Sequence, residues 1–191
     1  MVWVLIIVLL IALVAAGAVI ARQRRSQQLQ EGFGPEYGRT LADHGDRHEA
    51  ESELRARRER HEQLEIRDLE PEARERYSER WRGAQSTFVD QPMEAVGEAD
   101  ALVSEVMSER GYPVEDDFDR RAADISVEHP VVVENYRSAH EISRRAARNE
   151  ASTEDLRQAM IHFRALFEEL LGIDDRPRDE TSEDINQETP S

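Results

Sequence analysis

Cysteine is absent from the 191 residues, which excludes disulfides, thiolate metal sites and a cysteine nucleophile. Lysine is absent too: all 25 basic residues are arginine, a bias in keeping with a GC-rich genome, and arginine adds the option of bidentate pairing. Positive charge is scarce overall, because those 25 arginines face 41 acids for a formal net charge of −16. A chain of this sign repels nucleic-acid phosphate, and no basic patch beyond Arg22, Arg24 and Arg25 relieves the repulsion. Nucleic acid is therefore not an expected partner. No fixed-period repeat is visible, and no motif sets a serine, threonine or acid against a histidine. The sequence specifies no reaction, so the expectation is a non-enzyme with no catalytic, cofactor or metal residues.

What the chain does have is an apolar run over residues 1–21, with no charged side chain and with Arg22, Arg24 and Arg25 at its end. As a helix the run is roughly 31 Å long, close to the ~30 Å hydrocarbon thickness of a bilayer. It predicts a single transmembrane helix. Arginines beyond the run and none before it predict the N-terminus outside and the C-terminal domain in the cytoplasm, with Arg22, Arg24 and Arg25 facing anionic headgroups as the membrane flank. The competing reading is a cleaved signal peptide and an exported protein, carried by the small-x-small pattern of Ala16, Gly17 and Ala18.

Charge and apolar content divide the remainder. Residues 22–69 hold 10 arginines and 11 acids, 70–173 hold 13 and 23, and 174–191 hold 2 and 7. The first stretch predicts a charged helical stalk, broken near 32–35 by Gly32, Gly34 and Pro35 and supported by i,i+4 pairs such as Glu51 with Arg55 and Glu53 with Arg57. Leu41, Leu54, Leu64 and Ile66 are too sparse for a firm heptad seam, which leaves a solvated spacer or a weak coiled-coil dimer. Residues 70–173 predict a bundle of four to five helices. Pro71 and Pro92 open the first two, Gly111 closes the second, and Asp116 or Asp117 caps a third. Pro130 opens a fourth, and Ser152 caps the last, whose stripe is Leu156, Ala159, Met160, Phe163, Leu166, Phe167, Leu170 and Leu171. The acidic tail, 174–191, has the composition of disorder, with Thr181, Ser182 and Thr189 as phosphate acceptors.

Candidate chemistry is thin. Tyr77, Trp81, Phe88, Phe163 and Phe167 are read first as core and second as the lining of a ligand pocket between helices. His140 and His162 lie beside apolar stripes, His44 and His48 share an i,i+4 spacing, and Glu115, Asp116, Asp117 and Asp119 form an acidic cluster without the glycine and distal glutamate of a calcium loop. None of these is expected to form a site.

Local wording adds a resemblance. Phe33-Gly34-Pro35-Glu36-Tyr37 after a span and arginines, Arg110-Gly111-Tyr112-Pro113, Arg121-Ala122-Ala123-Asp124, the stretch from His129 to Arg137, and Ala151 to Arg157 resemble a group of short, single-span actinobacterial proteins usually labelled hypothetical or secreted. The resemblance covers most of residues 1–171 and implies the layout above, with no activity, cofactor or catalytic residue. The functional expectation is an all-α, membrane-anchored adaptor or tether that presents an acidic bundle to an unidentified protein partner. The alternative is an exported or membrane-attached small-ligand binder or enzyme with a pocket between the bundle helices.

Overall fold

The computed structural model describes residues 2–114 and 117–173; within the first nineteen residues, side chains are described only at positions 3, 6, 9, 10, 13, 16 and 17. The acidic tail expected over 174–191, and Glu115 and Asp116 of the acidic cluster, lie outside the described residues. All regular structure among the described residues is helical: α1 (Val2–Phe33), α2 (Pro35–His44), α3 (Arg47–His61), α4 (Pro71–Thr87), α5 (Pro92–Arg110), α6 (Phe118–Ile125), α7 (Val133–Ala147) and α8 (Thr153–Leu171).

Local chemistry sets most helix ends. Proline opens α2, α4 and α5, where its missing N–H leaves no hydrogen bond unmade. Asp46 accepts from the N–H groups of His48 and Glu49, and Asp117 does the same for Asp119 and Arg120. Ser152 and Asp155 form a reciprocal capping box at α8. Pro130 does not open α7. The chain makes turns from Ser126 to Val132, and regular helix begins at Val133. Gly111, which ends α5, has φ 99, and a Cβ there would stand 2.4 Å from the Glu65 carbonyl oxygen. Only glycine lets the loop before α4 lie against this helix end, where Arg67 N–H also donates to the Arg110 carbonyl at 2.9 Å.

Helices α4, α5, α7 and α8 form a bundle in which α8 packs against both α5 and α7, and α4 covers α5. The apolar stripe of α8 is buried along its whole length. It meets Val96, Val103, Val106 and Met107 of α5 and Val133, Tyr136 and Ala139 of α7 in one continuous core. Each valine, leucine, methionine and phenylalanine among them contributes about 1.5–3 kcal/mol by leaving water.

Residues 22–69 are not an extended spacer. The α1 helix ends at Phe33, Gly34 takes φ 45, and α2 and α3 fold back so that Leu29, Phe33, Tyr37 and Leu54 share a second, smaller core. Leu41 and Val127 pack on it, and Val127 belongs to the turn after α6. Sparse apolar residues that cannot make a heptad seam suffice when three helices converge on them.

The expected single-pass topology, with the N-terminus out and the C-terminal domain cytoplasmic, is corrected here. Among the described residues no helix is long and apolar enough to cross a membrane. The physical setting differs from that of a free span. Helix α1 continues beyond the apolar run through Arg22, Arg24 and Arg25, and its far end is committed to protein packing through Ser26, Leu29 and Phe33. The assignments of a transmembrane helix and a membrane protein fall with that topology.

Candidate functional site

Three polar assemblies stand out against these two cores. The first joins them. Glu36, on α2, has a side chain only 2% exposed, yet it is charged and fully engaged. Its Oε1 accepts from Arg57 Nη1 at 2.9 Å and Arg137 Nη2 at 2.8 Å, and its Oε2 accepts from Arg137 Nη1 at 2.7 Å. Arg57 lies on α3 and Arg137 on α7, so one buried carboxylate clamps the small core to the bundle. Arg39 with Glu134 and Arg60 with Asp124 reinforce the same seam at 3.3 and 3.8 Å. Burial pushes the Asp124 carboxyl up, and Arg60 foremost among the neighbouring cations pulls it back.

The second assembly lies where α5 ends. Buried Arg110 donates from Nε to the Arg67 carbonyl and from Nη1 to the Leu170 carbonyl, both at 3.3 Å, so it satisfies oxygens of a loop and of the last turn of α8. Glu128 accepts from the Tyr112 hydroxyl and stands 3.7 Å from Arg110. His129 Nδ1 lies 3.1 Å from Glu169 Oε1, and burial pushes the imidazole below its ordinary pKa against the opposing pull of Glu169. Between α5 and α7, burial raises the Asp100 carboxyl and lowers His140, and both carry a buried atom without a hydrogen bond, Asp100 Oδ1 and His140 Nδ1. The His140 ring stacks on Phe118 at 3.7 Å between centroids.

The third is a groove of about 440 Å³ between α1 and α3, lined by Arg22, Arg25, Gln28 and Leu29 from one side and His48, Glu51, Arg55 and Arg58 from the other. The groove has a built floor. Ser26 Oγ and Tyr37 OH both donate to Glu51 Oε1, at 2.7 and 3.0 Å. Arg55 Nε donates to the Glu51 carbonyl at 3.0 Å, and the Arg58 guanidinium lies over the Phe33 ring, 5.5 Å from its centroid. A Cβ on Gly32 would come within 2.9 Å of Arg58 Nη2, so this glycine leaves the room that Arg58 fills.

The residues singled out from sequence are dispersed by the fold. Arg22 and Arg25 enter the groove, whereas Arg24 is exposed on the same helix and does not line it. His44 and His48 are split by the left-handed turn at Gly45 onto different helices, and His44 Nδ1 lies 3.0 Å from the Thr40 carbonyl. His162 Nδ1 lies 3.0 Å from Asn135 Oδ1, and among the described residues no group of three or more metal-type ligands comes together. The aromatics pack on one another: Trp81 stacks on Phe167 at 4.7 Å, and Tyr136 contacts Phe118 at 4.8 Å and Phe163 at 6.4 Å between centroids. Arg57 pairs with Glu53 at 2.9 Å as the i,i+4 spacing predicts, whereas its reach to Glu36, and the meeting of Arg55 and Arg58 with Arg22 and Arg25, were not recognisable in sequence, since those companions lie on other helices. Compared with known proteins, the chain matches no family model, no curated protein and no solved structure.

Proposed function

We propose that this chain is a non-catalytic adaptor whose acidic bundle docks a basic segment of a partner protein. The observation that carries the reading is the patch at the α4–α5 turn. Val89 and Met93 are 81% and 49% exposed there, and the exposed acids Asp90, Glu94 and Glu98 surround them in sequence. The Asp90 and Glu94 carboxylates are in no ion pair or hydrogen bond among the described residues, and Glu98 feels Arg80 only through space, in a chain whose acids are widely paired. Exposed apolar side chains with exposed acids close by in sequence are what a basic amphipathic segment needs: apolar contact for affinity, and charge for steering and register.

Two further features support an adaptor over a small-molecule binder. The bundle aromatics are spent on mutual packing, and the bundle is held to the α1–α3 unit by the buried Glu36 clamp, so its surfaces keep a fixed relation to one another. The 19-residue α5 spans about 28 Å and sets the patch at the end of that helix opposite Gly111. The test is retention of protein partners on the immobilised full chain and on the Glu94→Arg/Glu98→Arg variant. The reading expects a defined partner with a basic segment, bound in a salt-sensitive way and lost in the variant. Equal retention by both proteins would overturn it.

A further inference from the structure

We infer that the groove between α1 and α3 is a binding site for a ligand carrying two or more clustered phosphate groups. Arg22, Arg25, Arg55 and Arg58 bring four guanidiniums to it, and none of them forms an ion pair among the described residues. In a chain of net charge −16 many arginines, among them Arg39, Arg57, Arg137 and Arg164, find carboxylates, so four guanidiniums without one at a single groove concentrate positive charge there. The one carboxylate in the groove, Glu51, is turned to neutral hydroxyls of Ser26 and Tyr37. Four arginines and one glutamate leave about three positive charges facing solvent across a narrow cleft, a match for a multiply charged anion.

The guanidiniums are also arranged in advance. Arg55 is tethered at Nε by the Glu51 carbonyl, which leaves its two terminal nitrogens to act as a fork. Arg58 rests on the Phe33 ring in the space that Gly32 leaves open. Side chains already held in this way lose less freedom when an oxyanion arrives. The contacts Ser26 with Glu51 and Gly32 with Arg58 show α1 and α3 running side by side, so Arg22 and the level of Arg58 are about ten residues, or ~15 Å, apart along α1. A single phosphate cannot engage both ends, whereas a short polyphosphate or a headgroup with two phosphates can. Guanidinium forks match phosphate oxygens bidentately, which makes clustered phosphate the fitting chemistry.

The site is separate from the α4–α5 patch, and its failure leaves the adaptor reading untouched. The test uses the full chain at about 0.15 M salt, where the screening length is ~8 Å, titrated calorimetrically with inorganic tripolyphosphate. In parallel it is sedimented with vesicles of phosphatidylcholine alone and of phosphatidylcholine with about one fifth cardiolipin. The expectation is salt-sensitive binding of tripolyphosphate, weakened about tenfold or more by Arg22→Gln/Arg25→Gln and by Arg55→Gln/Arg58→Gln. Arg24→Gln, equally charged and on the same helix but outside the groove, should change it less than about twofold. Gly32→Ala keeps every charge and favours helix, yet shifts the tip of Arg58, and should weaken binding about twofold. Circular dichroism of each variant should match the parent. Groove-dependent sedimentation with cardiolipin vesicles, competed by tripolyphosphate, assigns the phosphates to a lipid headgroup; tripolyphosphate binding without sedimentation assigns them to a soluble ligand. Absence of binding to both probes, or a loss in Arg24→Gln equal to that in the groove variants, overturns the inference.

Discussion

Replacing Glu36 with glutamine removes one charge from the centre of the junction and leaves the shape nearly unchanged. The carboxylate accepts three hydrogen bonds from two guanidiniums, with side-chain exposures of 2% for Glu36, 12% for Arg57 and 13% for Arg137. In Glu36→Gln Arg137 stays in place without a counter-charge, Arg57 keeps only its bond to Glu53 at 2.9 Å, and the amide nitrogen of glutamine meets donors where an acceptor stood. Breaking a buried pair in this way costs about 3–5 kcal/mol, because the surviving charges are not rehydrated. For a folded unit of this size each kcal/mol corresponds to ~2–4 °C, so Tm should fall by about 6–20 °C. Urea unfolding at neutral pH measures the first quantity and thermal circular dichroism the second. Hydrogen exchange locates the damage: amides of α2 and α3 should lose protection before those of α8, because the clamp holds the small core to the bundle. Replacing all three residues at once, as Glu36→Leu/Arg57→Met/Arg137→Met, should recover most of the loss, since no charge is then stranded at the buried centre and Glu53, one-third exposed, keeps Arg60. A single variant within ~0.5 kcal/mol of the parent, or a triple variant as unstable as the single, would refute the clamp.

Other outcomes follow from the same geometry. Phe163→Ala empties the centre of the bundle core and should cost ~3–5 kcal/mol in urea unfolding; a loss below ~1 kcal/mol would mean that the core is not packed around it. Gly111→Ala forces a Cβ against the Glu65 carbonyl at positive φ and should cost about 2–5 kcal/mol, with neutrality in the same assay as the contrary result. His129, beside Glu169, Glu128 and Arg110, has its folded pKa lowered by burial, so the unfolded chain takes up the proton first as pH falls. Stability from this group is complete above an unfolded pKa of about 6.5 and declines below it towards the folded value. His129→Gln should therefore shrink the stability difference between about pH 7.5 and about pH 5.5, and an unchanged difference would remove His129 as its source.

Much of the bundle was legible because its signals are local. The α8 stripe, the glycine stops at 111 and 172, the opening prolines of α4 and α5 and the Ser152 cap all depend on residues within one or two turns of each other. Helix α7 shows the limit. Proline at 130 reads as a helix start, but Val132 precedes the first helical residue because the chain first turns through Ser126–Val132, and the side chains of Ile125, Ser126 and Val132 are buried there. Tertiary packing outweighs the local signal at that point. The α1–α3 core was illegible for a different reason. Leu29, Phe33, Tyr37 and Leu54 follow no single period, since they come from three helices, and Glu36 finds Arg137 across 101 positions. The groove shares this property: Arg22 and Arg25 stand out beside an apolar run, whereas Arg55 and Arg58 read as part of a charged surface until α3 is laid along α1. The apolar run misled in the opposite sense, since composition predicted a span that no described helix provides.

The adaptor reading makes its most direct claim about one surface, and a photo-crosslinking side chain placed at Met93 in the full chain tests it in cells. Ile161 on α8 is the matched control: it is 47% exposed against 49% for Met93, but its helical neighbours are Arg157 and Arg164 instead of acids. The account predicts a discrete adduct at position 93 that maps to a basic segment of another protein, disappears with Glu94→Arg/Glu98→Arg, and does not form at position 161. Adducts of equal yield at both positions, or an adduct at 93 that persists after charge reversal, would contradict it.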